Sequence, residues 1–173
     1  DTIEVLAAES DRLEQLEREF TEFGRLPEGP AAPVDFNELL AELSRTTVPA
    51  TMQARLSLDP ATPVLTGHYE PLRRAFSNIL RNAADACEQQ GDLEITSAPD
   101  NGGGVRIEIR DHGPGVPPDM VERIFDPYCT GKAGGTGLGL ALVKQTIEMH
   151  GGSIALQETP GGGATFVVRM AAR

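Results

Sequence analysis

Asn78-Ile79-Leu80-Arg81-Asn82-Ala83-Ala84-Asp85 decides how this sequence folds. Around it, Leu72, Ala75, Phe76, Ile79, Leu80, Ala83, Ala84 and Cys87 recur at helical spacing. That spacing predicts a helix from about Tyr69 to just before Gly91, with one broad apolar face. Pro71 suits its first turn, and Gly91 suits its C-cap. Asn78, Asn82 and Asp85 fall on another face, at four- and three-residue steps. A helix so apolar on one side needs a second layer to pack against.

The flanking sequence supplies strands. Leu93 to Ser97 and Val105 to Arg110 read as strands joined by Asn101-Gly102-Gly103-Gly104. Ser153 to Glu158 and Ala164 to Met170 form a second such pair around Pro160-Gly161-Gly162-Gly163. Between the pairs, a helix is expected from about Gly137 to His150. Upstream, Val34 to Phe36 suggests a short strand and Phe36 to Arg45 a helix. Gln53 to Leu58 alternates as a strand, with Ala54, Leu56 and Leu58 on one face, and Val64 to Thr66 is expected to pair with it. Together these predict an α+β fold with helices on one face of a sheet.

At the start of the chain, Ile3, Leu6, Leu13, Leu16, Phe20 and Phe23 make one narrow stripe on a helix from Asp1 to Gly24. A narrow stripe on a charged helix is the seam of a coiled coil or bundle, or an ordinary amphipathic face packed on its own domain. Gly24, Pro27, Gly29, Pro30 and Pro33 then break the helix and read as a linker.

Bulk properties exclude some functions. The 173 residues allow one compact domain plus an appendage. Net charge is −11, which repels a nucleic-acid backbone. A small anion is still acceptable, because backbone amides bind phosphate without net positive charge. Cys87 and Cys129, the two cysteines, make no disulfide framework, so a reducing cytosol is expected. No apolar run approaches the roughly 18 residues of a membrane span, and no signal peptide opens the sequence. Because residue 1 is Asp, the sequence reads as a piece of a larger parent, which is free to carry an inner-membrane anchor.

Three segments carry unusual residue choices. On the Asn-bearing helix, two amides one turn apart could hold a metal and a phosphate together, since an amide oxygen is a neutral hard ligand suited to Mg²⁺. The plainer reading is two exposed polar residues. Asp111-His112-Gly113-Pro114-Gly115 follows a strand directly. Asp111 there can accept a hydrogen bond from an exocyclic amine such as that of adenine, and Gly113 and Gly115 let the backbone approach a planar ligand. The plainer reading is a turn. Third, Gly134, Gly135, Gly137 and Gly139 run into the start of a helix, where free amides and the helix dipole favour phosphate. Lys132 adds a point charge on a loop able to act as a lid. A P-loop is excluded, because Ala133 follows Lys132 and the earlier glycine is missing. The dinucleotide fingerprint is excluded by Leu140 and by the lack of a preceding strand.

In this order, the segments resemble the nucleotide-binding boxes of the superfamily that holds gyrase-type ATPases, Hsp90, mismatch-repair ATPases and histidine kinases. Asn78 to Asp85 is similar to its N box and Asp111 to Gly115 to its first glycine box. Phe125 to Tyr128 is similar to the F box, and Gly135-Thr136-Gly137-Leu138-Gly139-Leu140 to the second glycine box. The resemblance covers roughly Val34 to Met170. It implies a two-layer α/β sandwich of the Bergerat type, with a mixed sheet and helices on one face. It also implies ATP and Mg²⁺ as ligands, with Asn82 on the metal, Asp111 on adenine and the Lys132 loop closing over the phosphates.

Within that superfamily, the hydrolysing branches resemble one another in having Glu one turn before the metal-ligating Asn. Asn78 stands there, and an amide does not take a proton from water at neutral pH. This departure points to a kinase, in which water should compete poorly. Leu16 to Leu40, Asn82-Ala83-Ala84-Asp85-Ala86 and Pro127 to Lys132 resemble nitrogen-regulation (NtrY-like) sensor kinases. Asp85 stands where other sensor kinases carry a phosphate-binding Lys, and Cys129 where an aromatic is commoner. The expected organisation is residues 1–26 as the second helix of a dimerisation domain, 27–33 as linker and 34–173 as the ATP-binding domain. The expected partners are the chain's own phosphoacceptor domain, a response regulator and a second copy of the parent. None of His68, His112 or His150 is followed by the Glu or Asp of a phosphoacceptor, so the acceptor histidine is expected elsewhere. A serine kinase of the anti-sigma type and a nucleotide-sensing module without transfer are the alternatives.

Overall fold

The computed structural model describes residues 2–23, 29–131 and 135–172; in the first helix, the side chains at 2, 11, 12, 15, 18, 19, 22 and 23 are not included. The elements run α1 (Thr2–Phe23), β1 (Ala32–Val34), α2 (Phe36–Thr46), β2 (Met52–Leu58), β3 (Leu65–Gly67) and α3 (Tyr69–Ala86). They continue with β4 (Gly91–Asp100), β5 (Gly104–Arg110), α4 (Pro118–Val121), α5 (Gly139–Met149), β6 (Ser153–Glu158) and β7 (Ala164–Met170). Five strands form a mixed sheet in the order β2-β4-β5-β7-β6. Only β2 and β4 are parallel; the other neighbours pair antiparallel. A parallel pair needs a long crossover, and α3 supplies it.

Alternation divides the sheet into two faces. Leu93, Ile95, Ile107, Ile109, Phe166 and Val168 point one way and are buried against α2, α3 and α5. Leu72, Phe76, Ile79, Leu80 and Ala83 of α3 meet them, with Phe36 packed edge-on to Phe76 at 5.8 Å between ring centres. The opposite face carries a cross-strand charge ladder, with Arg55 on Asp92 at 2.6 Å, Arg110 on Glu94 at 3.5 Å and Arg169 on Asp100 at 2.9 Å. The expected α+β arrangement, with helices on one sheet face, is what the chain adopts.

Several boundaries differ from expectation. Val64 to Thr66 was expected to pair with the Gln53 strand; instead β3 pairs with β1 in a small separate sheet. A three-residue strand shows no period in sequence, so nothing there distinguished the partners. The strand expected to reach Phe36 stops at Val34, because the Asp35 side chain caps α2 through the Asn37 and Glu38 amides. The Asn-bearing helix ends at Ala86 rather than near Gly91. Glu88 and Gln89 take left-handed φ values of 52° and 58°, which end the helix early, and Gly91 opens β4. The helix expected from Gly137 starts at Gly139, since Gly137 has φ of 71°.

The stripe on α1 is uncovered. Ile3, Leu6, Leu13 and Phe20 are exposed and Leu16 is half-buried; the Phe23 side chain lies outside the described residues. Among the described residues, no helix is long and apolar enough to cross a membrane.

Candidate nucleotide site

Packing of the apolar face of α3 fixes where its polar residues go. With Ile79, Leu80 and Ala83 buried, Asn78 and Asn82 fall at the edge of the layer and are half-buried. Asn78 makes no side-chain hydrogen bond among the described residues. Asp85 lies further round the helix and is exposed.

Asp111 follows β5 and is 1 % exposed. Its amide donates to the Ala164 carbonyl at 2.9 Å. Its Oδ1 accepts from the Gly113 amide at 3.0 Å and the Ala164 amide at 3.1 Å. Oδ2 accepts no hydrogen bond among the described residues. Burial raises the carboxyl above its ordinary value, and the two amides oppose this. One oxygen is thus fixed by backbone while the other is left to accept from a ligand amine.

The glycines of this loop are set by close approach. A Cβ on Gly113 would lie 2.6 Å from the Ala86 carbonyl oxygen, so the loop touches the last turn of α3. Gly115 has φ of 78°, and a Cβ there would meet the Gly163 carbonyl at 3.1 Å. The β6–β7 turn therefore lies directly against the glycine loop. Gly163 itself has φ of 98° and abuts the Asp111 carbonyl.

In the third segment, Phe125 packs edge-on to Phe166 at 6.4 Å, anchoring the segment to the sheet. The Tyr128 amide donates to the Gly137 carbonyl at 2.9 Å, which closes the intervening loop at its base. Tyr128 has φ of 64°, and a Cβ on Gly137 would lie 2.5 Å from its carbonyl carbon. Thr136 Oγ1 accepts from the Leu138 amide at 3.3 Å, and Leu138 is buried just before α5. Gly135 is half-buried. Gly139 differs from these, because a Cβ there would meet nothing within 4 Å. Glycine opening a helix weakens it by about 1 kcal/mol relative to alanine, and packing does not require it here. Among the described residues, the space beside these helix-terminal amides is open, which fits an anion such as a triphosphate. Lys132 and Gly134 lie outside the described residues.

The fold thus gathers the three segments: α3 packs along α5, and its last turn touches the Asp111–Gly115 loop. Among the described residues, no group of three or more His, Cys, Asp or Glu is arranged to hold a metal ion. The half-buried Asn82 amide matches an ion that takes most of its ligands from phosphate and water.

Residues 67–173 match the family of histidine kinase-, DNA gyrase B- and HSP90-like ATPases. This chain belongs to that family. It is 34% identical over 169 residues to the sensor histidine kinase ZraS of Escherichia coli K12, covering 95% of this chain and 36% of that protein. The sensory histidine kinase/phosphatase NtrB of Rhodobacter capsulatus is 30% identical, covering 91% of this chain and 49% of that one. The chain therefore spans between a third and a half of these relatives. Among solved structures, full-length ShkA in complex with AMPPNP superposes with a TM-score of 0.80 at 27% identity, covering 99% of this chain and 39% of that one. As a member of the family, the chain is an ATP-binding catalytic domain of the histidine kinase kind.

Sequence reasoning missed several contributors. Gly163 and Ala164 hold Asp111 across 53 residues of sequence, and only the Gly161-Gly162-Gly163 run hinted at a close approach. Ala86 and Tyr128 act through backbone atoms and leave no side-chain signal.

Proposed function

We propose that this domain binds Mg-ATP and transfers the γ-phosphoryl group to a histidine outside residues 1–173, for relay to a response-regulator aspartate. The free Oδ2 of Asp111 carries the reading, because its Oδ1 is fixed by the Gly113 and Ala164 amides while Oδ2 stays open to an adenine amine. In this reading Asn82 holds the metal, which neutralises phosphate charge when bound. Gly135, Thr136, Gly137, Leu138 and Gly139 present amides to the phosphates, Asn78 and Asp85 flank them from α3, and Lys132 adds positive charge from the loop. Asn78 lacks the basicity to activate water, which favours transfer over hydrolysis.

The three histidines are occupied otherwise. His150 is buried, with Nε2 accepting from the His68 amide at 3.0 Å and Nδ1 bonded to the Thr146 carbonyl at 2.7 Å. The ring of His68 meets the Gly29 carbonyl at 3.1 Å, and that of His112 meets Glu94 at 3.0 Å. We therefore place the acceptor on a dimerisation domain of which residues 1–26 form the second helix, joined by a 27–33 linker to the domain at 34–173. A cytoplasmic position, a homodimeric parent and an inner-membrane anchor in that parent belong to the same reading.

The test mixes the chain, radiolabelled Mg-ATP and a separately made acceptor-helix domain. Acid-labile, base-stable label on the acceptor is expected. Label on serine, or nucleotide binding with no transfer, would sink the proposal.

A further inference from the structure

Asp111 is held unequally on its two flanks. Toward β7, the Ala164 backbone bonds it twice. Toward β4, the ladder has already ended at the Glu94–Arg110 pair. Beyond that pair, His112 makes the side-chain contact to β4 among the described residues. Its ring Nε2 lies 3.0 Å from Glu94 Oε1. Glu94 is also paired with Arg110, so the residues on either side of Asp111 are tied to one carboxylate. By strand alternation, this turns Asp111 to the opposite, helix-covered face. Beside the loop lies an open cavity of about 340 Å³, lined by Ala86, Cys87, Glu88, Asp92, His112 and Gly113 among others.

We propose that His112 is a positioning residue for base recognition: its contact with Glu94 holds the β4 flank of the glycine loop and so aims the free oxygen of Asp111 at the purine amine. This rests on the reading of Asp111 as the adenine contact. The groups around the imidazole are Glu94 and Asp92 on β4, Arg110 on β5, and Cys87 and Glu88 at the end of α3. The imidazole meets the Glu94 carboxylate through ring Nε2, which ties the glycine loop to the edge of β4.

The test measures displacement of a fluorescent ATP analogue from the whole chain. The competitors are ATP and purine riboside triphosphate, which lacks the 6-amino group. His112→Ala should weaken ATP about two- to fivefold, the range of a partly exposed ion pair, and leave the amine-free nucleotide unchanged. His112→Gln keeps a donor toward Glu94, so it should recover discrimination. Equal discrimination in wild type and His112→Ala would overturn the proposal. Should His112→Ala fail to fold, Glu94→Ala carries the test, and it must lose discrimination in the same way. Asp111→Asn separates the two levels. Unchanged discrimination there removes the adenine role and the proposal with it. Lost discrimination there, with His112→Ala intact, removes the proposal alone.

Discussion

In the proposed nucleotide site, Gly139 is the residue at which stability and function should part. A methyl group there meets open space and improves helix propensity. Gly139→Ala is expected to leave the melting temperature equal or slightly higher, while nucleotide affinity falls about tenfold or more because the methyl blocks the approach to the helix-terminal amides. Calorimetry on one sample, for melting and for ATP titration, checks both; unchanged affinity would remove Gly139 from the site. Asp111 makes a related prediction with a pH signature. Its folded pKa lies above the ordinary 3.8 because of burial, so the folded chain holds that proton more tightly. Its contribution to stability is therefore greatest below 3.8 and declines as pH rises through the window up to the raised value. Asp111→Asn keeps an oxygen for both amides and removes the buried charge. The variant should melt higher than wild type at neutral pH, with the gap closing toward about pH 4. A constant gap would show that the carboxylate is not what destabilises. Asp111 was legible in sequence because Asp, Gly and Pro crowd the end of a strand. Its partner Ala164 was not, because an amide donor carries no residue signature.

At the level of elements, legibility followed period and length. The boundaries of β6 and β7 were readable because glycine clusters punctuate both strands. α3 was readable from eight apolar positions at helical spacing, though its end was not, since Glu88 and Gln89 are unusual residues for left-handed backbone. β1 and β3 were too short to declare a partner, and β2 shows no sign of its parallel pairing with β4. Two elements give predictions. Leu80 is fully buried between α3 and the sheet, so Leu80→Ala should cost about 2–5 kcal/mol, measured by urea unfolding. A loss within a few tenths of a kcal/mol would contradict this packing. On α1, Ile3, Leu6, Leu13 and Phe20 are exposed. Replacing all four with Glu or Lys should abolish concentration-dependent association in light scattering and leave the melting temperature of the domain unchanged. A large loss of melting temperature would mean that α1 packs on the domain in solution.

For the whole molecule, one sheet serves two purposes. Its covered face buries the core, and the end of its β5 strand delivers Asp111 beside the helices that bear Asn82 and Gly139. Overall architecture was readable because helices and hairpins alternate with clear punctuation. The site as an assembly was less so, since its closing contacts are backbone to backbone across long separations. The bond from the Ala164 amide to Asp111 spans 53 residues, and Gly163 must fold under the Asp111 carbonyl. This dictates an order during synthesis. The ribosome releases both asparagines and the aspartate well before β7 exists, so a nascent chain already holds the chemical groups yet has no seat for its carboxylate. On the proposed role of Asp111, nucleotide capture would have to wait until residues 163 and 164 have left the exit tunnel.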